Sequence, residues 1–188
     1  MILKRILVEL IVLITIVVIY GIATYQRNLV WKTGSSIWTN VVRKSPGKSR
    51  PHNNLGLSYL HNKQYQQAIA QFQDALRIQP NFMEAHYNLG MACQILRLYH
   101  KAIVNYENAL CRLKCLLASV DETTAKFYLG ELYNNLGVCY FAIGKPDRAV
   151  SEFQKAIKVR PDHVNARYNL ATSSKWKKST KKPDPNKK

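Results

Sequence analysis

The stretch that decides the fold lies between His52 and Pro80 and has the sequence HNNLGLSYLHNKQYQQAIAQFQDALRIQP. Most of its apolar and small positions recur after 34 residues and again after a further 47. Repetition at this period predicts stacked helix-turn-helix units, each too small to bury its apolar stripe alone. The recurring positions are Leu55, Gly56, Tyr59, Ala68, Phe72 and Pro80 in the first unit, Leu89, Gly90 and Ala102 in the second, and Leu136, Gly137, Tyr140, Ala149, Phe153 and Pro161 in the third.

The order of these positions is x2-Leu-Gly-x2-Tyr after a bulky residue, then Ala-x3-Phe and a closing Pro. This layout resembles the tetratricopeptide repeat, over residues 49–176. The resemblance implies an all-α solenoid of paired helices. Glycine inside a helix costs about 1 kcal/mol against alanine, so we expect another helix backbone to pass close to the repeated glycines.

The repeat boundaries divide the chain into predicted segments. Residues 49–82, 83–116 and 130–163 form three units, and an insertion at 117–129 lengthens the helices beside it. In the second unit Cys93 replaces the tyrosine, Arg97 stands where a turn glycine is usual, and no proline ends the second helix. The flanking segments are a basic linker with one half-repeat helix at 26–48, a capping helix at 164–176 and a disordered Lys-rich tail at 177–188.

The amino-terminal segment is apolar from Ile6 to Ala23. Eighteen helical residues span about 27 Å, close to the thickness of a bilayer core. Residues 1–25 are therefore predicted to be a transmembrane anchor, with a cleaved signal peptide as the alternative. The junction that follows is similar to that in bacterial polytopic membrane proteins of the O-mannosyltransferase type that contain this repeat. The apolar segment predicts a single-pass protein, and the resemblance favours repeats outside the cytoplasm, in the periplasm. It also suggests an accessory subunit of a membrane glycosyltransferase as an alternative function.

The net charge of +17 lies mainly in the flanks of the repeats. Six basic residues and no acidic residue occupy positions 25–50, and seven lysines follow from Lys175 onward. This distribution makes nucleic acid an unlikely partner, because the folded part lacks a strongly basic face. Contact of the basic flanks with anionic lipid or another polyanion is a further alternative.

The sequence contains no signature of an enzyme, a cofactor site or a metal site. It has no Gly-rich phosphate loop and no nucleophile placed beside a base. We expect all four cysteines to be small buried residues of the helices, and His61, His100 and His163 to lie on the surface or in turns. A binding function is therefore favoured over catalysis.

An asparagine precedes the repeated Leu-Gly pair of each unit and the Leu-Ala pair of the capping helix, at Asn54, Asn88, Asn135 and Asn169. Each carboxamide offers an acceptor and a donor that match the backbone of an extended peptide. The row resembles the asparagine ladder of the O-GlcNAc transferase repeat superhelix, which implies a peptide held along the groove of the first helices. Neighbouring side chains would add selectivity, and these are Asn53, Leu57, Tyr87, Met91, Asn134, Val138 and Tyr168. The sequence thus predicts a membrane-anchored scaffold that binds a peptide or a partner helix.

Overall fold

The computed structural model describes residues 13–22, 24–25 and 34–180. Within the described part of the chain, all regular secondary structure is helical, which confirms the prediction of an all-α solenoid. Residues 13–22 and 24–25 are helical. The helices that follow are α1 (Gly34–Lys44), α2 (Ser49–His61), α3 (Tyr65–Ile78), α4 (Met83–Ile95), α5 (Tyr99–Leu116), α6 (Glu122–Ala142), α7 (Pro146–Val159) and α8 (Val164–Thr180).

The helices form two layers. The first helices of the three units are α2, α4 and α6, and each packs against the second helix that follows it, α3, α5 or α7. Helix α1 packs on α2 as the second helix of an incomplete unit, and α8 packs on α7 as a lone first helix. Helix α2 also contacts α4, and α6 contacts α8, while the second helices make few such contacts with one another. At two of the three junctions between neighbouring first helices the spacing is therefore closer than in the second-helix layer, as on the inner side of a curved array.

The two helices of each unit meet where an aromatic ring covers a glycine. A Cβ atom added to Gly56 would lie 2.5 Å from Cε1 of Phe72, and one added to Gly137 would lie 2.5 Å from Cε1 of Phe153. In the second unit Tyr106 takes the place of the phenylalanine against its glycine. The close neighbour is thus an aromatic ring, not the helix backbone that we expected. The ring lies flat against the helix because the glycine has no side chain.

The other repeated positions fill the space around these rings. The small residues Ala68, Ala102 and Ala149 have no exposed surface and let the helices approach closely. Leucines of the first helices, Leu55, Leu89 and Leu136, are buried beside them. Tyr59 is only half-buried, and Pro80 and Pro161 lie two residues beyond the ends of α3 and α7.

Substituting Gly137 by alanine tests the dependence of the fold on the glycine–ring contact. The added methyl group would force Phe153 to move, and overpacking of this kind costs about 1–3 kcal/mol. This exceeds the roughly 1 kcal/mol that alanine gains in a helix, so the free energy of unfolding in urea should fall. Gly47→Ala is the control, since nothing lies within 4 Å of its added Cβ. Equal stability of the two variants would contradict the prediction.

The turn between the two helices of each unit needs one residue with a left-handed backbone. These residues are Lys63 with φ of 60°, Arg97 with φ of 58° and Gly144 with φ of 73°. Glycine adopts this conformation without a steric penalty, whereas lysine and arginine do not. The same turn therefore forms in all three units, although only one of them has the favourable residue.

The insertion lengthens the helices on both sides of it. Helix α5 has 18 residues and α6 has 21, whereas α3 has 14 and α4 has 13. The backbone N–H of Thr124 donates a hydrogen bond of 2.8 Å to the Asp121 carboxylate, which caps α6. Leu113 and Ala125 are buried in the extended part, while Leu116, Leu117 and Phe127 are exposed. The hairpin of α5 and α6 therefore extends beyond the other two units.

The predictions of a transmembrane helix and of a single-pass membrane protein with periplasmic repeats are wrong. Among the described residues, no helix is both long enough and apolar enough to cross a membrane. The helical run 13–22 rises about 15 Å, half of the roughly 30 Å hydrocarbon core. The predicted span also counted residues 6–12, which lie outside the described residues, as do part of the basic linker (26–33) and the end of the tail (181–188).

Candidate functional site

The predicted asparagine row lies along the layer of first helices, one residue each on α2, α4, α6 and α8. Asn54, Asn135 and Asn169 are half-buried, whereas Asn88 is only 6% exposed. The members of the row therefore differ in how far a ligand could reach them.

Two of the four amides already bind an asparagine on the first helix of the preceding unit. The Nδ2 atom of Asn88 donates to Oδ1 of Asn53 at 2.9 Å, and Nδ2 of Asn169 donates to Oδ1 of Asn134 at 2.9 Å. The acceptors Asn53 and Asn134 are themselves buried. A buried polar group needs a partner, so these bonds connect the first helices of neighbouring units.

Tyr87 makes the corresponding connection between α4 and α6. Its hydroxyl lies near the Asn135 carboxamide, and its ring lies 5.9 Å from that of Tyr128 and 6.1 Å from that of Tyr106. Burial raises the pKa of Tyr87 to about 12, the Glu131 carboxylate acts in the same direction, and the Asn135 carboxamide opposes both. The Tyr87 hydroxyl therefore remains neutral.

Each junction between units thus has one polar connection in the same place. The residue before the ladder asparagine, Asn53, Tyr87 or Asn134, contacts the ladder asparagine of the next helix. Tyr168 occupies this position on α8, where no further helix follows, and it is 71% exposed. The structure brings the predicted residues together in pairs between helices, not as a row of separate amides.

A cavity of about 170 Å³ opens beside Asn135 in the first-helix layer. It is lined by Met91, Gln94, Ile95, Tyr106 and Asn135. The carboxamide oxygen of Gln94 accepts a hydrogen bond of 2.8 Å from the Tyr106 hydroxyl and a longer one from the Cys139 thiol. The polar wall of the cavity is therefore held in a fixed orientation, and Ile95 leaves its rim apolar.

Sequence reasoning missed the part played by Gln94 and underestimated that of Asn53 and Asn134. Residues 53–54 and 134–135 are both Asn-Asn pairs. Each hydrogen bond between helices joins residues 35 apart, one more than the repeat length. The Asn-Asn pairs at the same position of two units were the signal that could have identified these bonds.

Removing the buried amide of Asn88 should destabilise the array. In Asn88→Ala the side-chain oxygen Oδ1 of Asn53 loses its buried donor. This loss should lower the free energy of unfolding by about 1–3 kcal/mol. A double-mutant cycle with Asn53→Ala, measured by urea unfolding, should show non-additive effects, because the two residues share one interaction. Strictly additive effects would contradict the contact.

A cluster of charged groups joins α6 to the end of α7. The Arg160 guanidinium donates to Oε1 of Glu131 at 3.1 Å, and Nε2 of His163 lies 3.5 Å from the same oxygen. His163 lies in the turn between α7 and α8, as one alternative of the prediction had it, but it is 1% exposed and not at the surface: its ring packs in the space beside Gly130. Desolvation lowers the pKa of His163, Glu131 and Asp162 oppose this effect, and Arg160 adds to it.

The lowered pKa of His163 predicts a loss of stability in acid. Below about pH 6.5 this histidine is protonated in the unfolded chain, whereas in the folded chain it binds a proton only at lower pH. The free energy of unfolding should therefore fall as pH decreases from 7 to 5. Chemical denaturation across this range should show a smaller decrease for His163→Gln than for the unsubstituted chain. The exposed His100 provides the control substitution, and identical pH profiles for all three proteins would refute the assignment.

The cysteines divide into two classes. Cys93 and Cys139 are buried as expected, but Cys111 and Cys115 are exposed, so the prediction that all four are buried is wrong. Cys111 occupies the repeat position of the exposed Arg77, and Cys115 lies in the part of α5 that extends beyond the regular repeat. Among the described residues, no group of three or more His, Cys, Asp or Glu side chains could hold a metal ion.

Comparison with known proteins identifies the repeat. A sequence model of the tetratricopeptide repeat matches residues 49–82 and 130–163, so the chain contains tetratricopeptide repeats. No curated protein sequence matches the chain. The middle unit has the same helical hairpin without matching the model, and it is the unit with Cys93 at the tyrosine position and no proline after its second helix.

Solved structures share the fold at low sequence identity. The crystal structure of MamA superposes with a TM-score of 0.64 at 20% identity, over 75% of each chain. The first repeat domain of Spaghetti (RPAP3), bound to the HSP90 peptide SRMEEVD, gives 0.60 at 17% identity and covers 70% of this chain and 94% of that one. The repeat domain of Arabidopsis OM64 gives 0.59 at 16% identity, over 68% and 95%.

Proposed function

We propose that the chain is a protein-interaction scaffold that binds a polypeptide segment on its first-helix layer. Tetratricopeptide repeats are protein-interaction modules, and one structure of the same fold, that of Spaghetti, holds the HSP90 peptide SRMEEVD. A concave layer of helices presents an extended surface to such a segment. This function requires no catalytic group and no cofactor.

The cavity beside Asn135 is the observation on which this proposal rests. Its volume of about 170 Å³ accommodates one side chain of moderate size, and its wall combines apolar groups with the oriented amide of Gln94. Half-buried apolar residues at the same position of each first helix, Leu57, Met91 and Val138, extend this surface along the array. Pockets lined mainly by apolar groups with a few fixed polar groups are typical of ligand sites.

The asparagine row contributes in a more limited way than a complete ladder would. Asn54 and Asn135 are half-buried and are the members best placed to hydrogen-bond a peptide backbone. Asn88 is buried against Asn53, and it fixes the spacing of the helices. We expect the Asn54→Ala/Asn135→Ala variant to bind a peptide about three- to tenfold more weakly, since a net hydrogen bond contributes about 0.5–1.5 kcal/mol.

The decisive test of the surface is a charge placed at the cavity rim. Peptides selected from a random displayed library against the whole chain serve as probes, and fluorescence anisotropy measures their dissociation constants. Ile95→Glu should weaken the selected peptides at least tenfold, because a buried unpaired carboxylate is costly. Ile95 is 50% exposed, so the substitution spares the fold.

Ile78→Glu is the matched control for this test. Ile78 is 39% exposed at the end of α3, away from the first-helix surface. It should leave the dissociation constants within twofold of the original. Equal affinity of the selected peptides for both variants, or failure to select any peptide, would contradict the proposed function.

A further inference from the structure

The tyrosine position of the repeat marks three corresponding clefts in the second-helix layer. This position holds Tyr59 in the first unit, Cys93 in the second and Tyr140 in the third. Each cleft is bounded by the second helix of its own unit and by that of the unit before, with the first helix as its floor.

At the third cleft the chain fills the space with its own ring. Tyr140 is 8% exposed, and its hydroxyl donates a hydrogen bond of 2.8 Å to Glu107 on α5. The guanidinium of Arg148 on α7 lies 5.6 Å from the centre of the ring. The ring therefore bridges α5 and α7 through a hydrogen bond, a cation–π contact and its apolar faces.

At the second cleft the corresponding ring is missing. Cys93 lies in the wall of a cavity of about 350 Å³ between α3 and α5. The first cleft also has a cavity, of about 620 Å³, but there Tyr59 is present and the rest of the lining is polar. The walls of the cavity in the second cleft include Gln73 and Lys101, which occupy the repeat positions of Glu107 and Arg148. The hydrogen-bonding side chain and the cation of the third cleft thus have counterparts here, without the tyrosine between them.

The other walls of this cavity suit an aromatic side chain. Ile69, Leu89, Leu98 and Val104 are apolar, and His100 and Asn105 are the remaining polar members of the lining. The cavity lies at the small end of the range of ligand pockets, about 300–1,000 Å³. Lys101 makes no ion pair within the described part of the chain, and its charge is felt at the Cys93 thiol, where it opposes the rise in pKa caused by burial. A cation thus stands beside an apolar cavity.

We infer that this cleft binds a tyrosine side chain of a partner polypeptide, held between α3 and α5 as Tyr140 is held between α5 and α7. The partner's hydroxyl bonds Gln73, and Lys101 lies over the ring. An aliphatic side chain could neither hydrogen-bond the Gln73 carboxamide nor make a cation–π contact with the Lys101 ammonium group. Acidic residues next to the tyrosine are favoured because Lys101 and His100 line the cavity. The site lies on the layer opposite the peptide surface and does not depend on it.

The first experiment uses p-cresol, the analogue of the tyrosine side chain, with the whole isotopically labelled chain and amide NMR spectra. Saturable shifts should be confined to α3, α4 and α5, and toluene, which lacks the hydroxyl, should bind at least threefold more weakly. Cys93→Tyr supplies the ring in cis, as Tyr140 does, and should abolish these shifts while the melting temperature stays equal or rises. Cys93→Ala keeps the cavity and should retain them.

Lys101→Glu is a second variant for the case that Cys93→Tyr does not fold, since Lys101 is exposed. It should weaken the binding of p-cresol at least threefold, because it removes the cation that lies over the ring. Unchanged binding of p-cresol in either folded variant, or shifts spread over other helices, would overturn the inference.

A second experiment, with a short peptide as the ligand, distinguishes a polypeptide partner from a free phenol. The acetylated and amidated peptide Gly-Glu-Tyr-Glu-Gly should bind at least tenfold more tightly than p-cresol and lose this binding when its tyrosine is replaced by alanine. Tighter binding of p-cresol than of the peptide would overturn the polypeptide partner. Ile95→Glu should leave the affinities of both p-cresol and the peptide unchanged. A failure of the tyrosine site can therefore be distinguished from a failure of the peptide surface on the first-helix layer.

Discussion

The contact between a glycine of the first helix and an aromatic ring of the second is the constraint on which the array depends. At Gly56, Gly90 and Gly137 a Cβ atom would lie only 2.5–2.6 Å from a ring carbon, so the two helices can approach only because that atom is absent. The glycine costs helix stability, but the ring that it admits is fully buried and contributes far more apolar surface than a methyl group would. This distance then sets the spacing of the two layers and brings neighbouring first helices close enough for their amides to bond.

This constraint explains why the second unit folds like the others although it departs from their sequence. It keeps Gly90 and the ring of Tyr106, and it loses the tyrosine and the final proline; like the first unit, it has no glycine in the turn. The lost features act at the edges of the unit. Without the tyrosine, the cleft between α3 and α5 is open, and without the proline, α5 continues to Leu116. The unit that departs most from the pattern therefore has both the extended hairpin and the cleft that lacks a tyrosine.

The sequence was sufficient to predict the solenoid, because the residues that build it recur at a fixed period. It was less informative about contacts between units. That Asn88 bonds Asn53, and not a ligand, depends on how neighbouring helices are placed, and His163 is buried because Gly130 leaves room for its ring. The membrane prediction failed for a different reason. It rested on the composition of residues 6–23. The helix described within that stretch, residues 13–22, is too short to span a bilayer core.

The polar connections between first helices bear directly on how the surface could bind. Asn53 with Asn88, and Asn134 with Asn169, use hydrogen-bonding groups that an amide ladder would offer to a peptide. They also hold α2 to α4 and α6 to α8 in one relative position. The first-helix surface therefore loses less conformational entropy when a partner binds. Affinity would then come from apolar side chains entering a preformed cavity such as that beside Asn135, with few hydrogen bonds to the backbone. A partner recognised in this way is selected by its side chains, and an array with a complete ladder would instead accept extended peptides of many sequences.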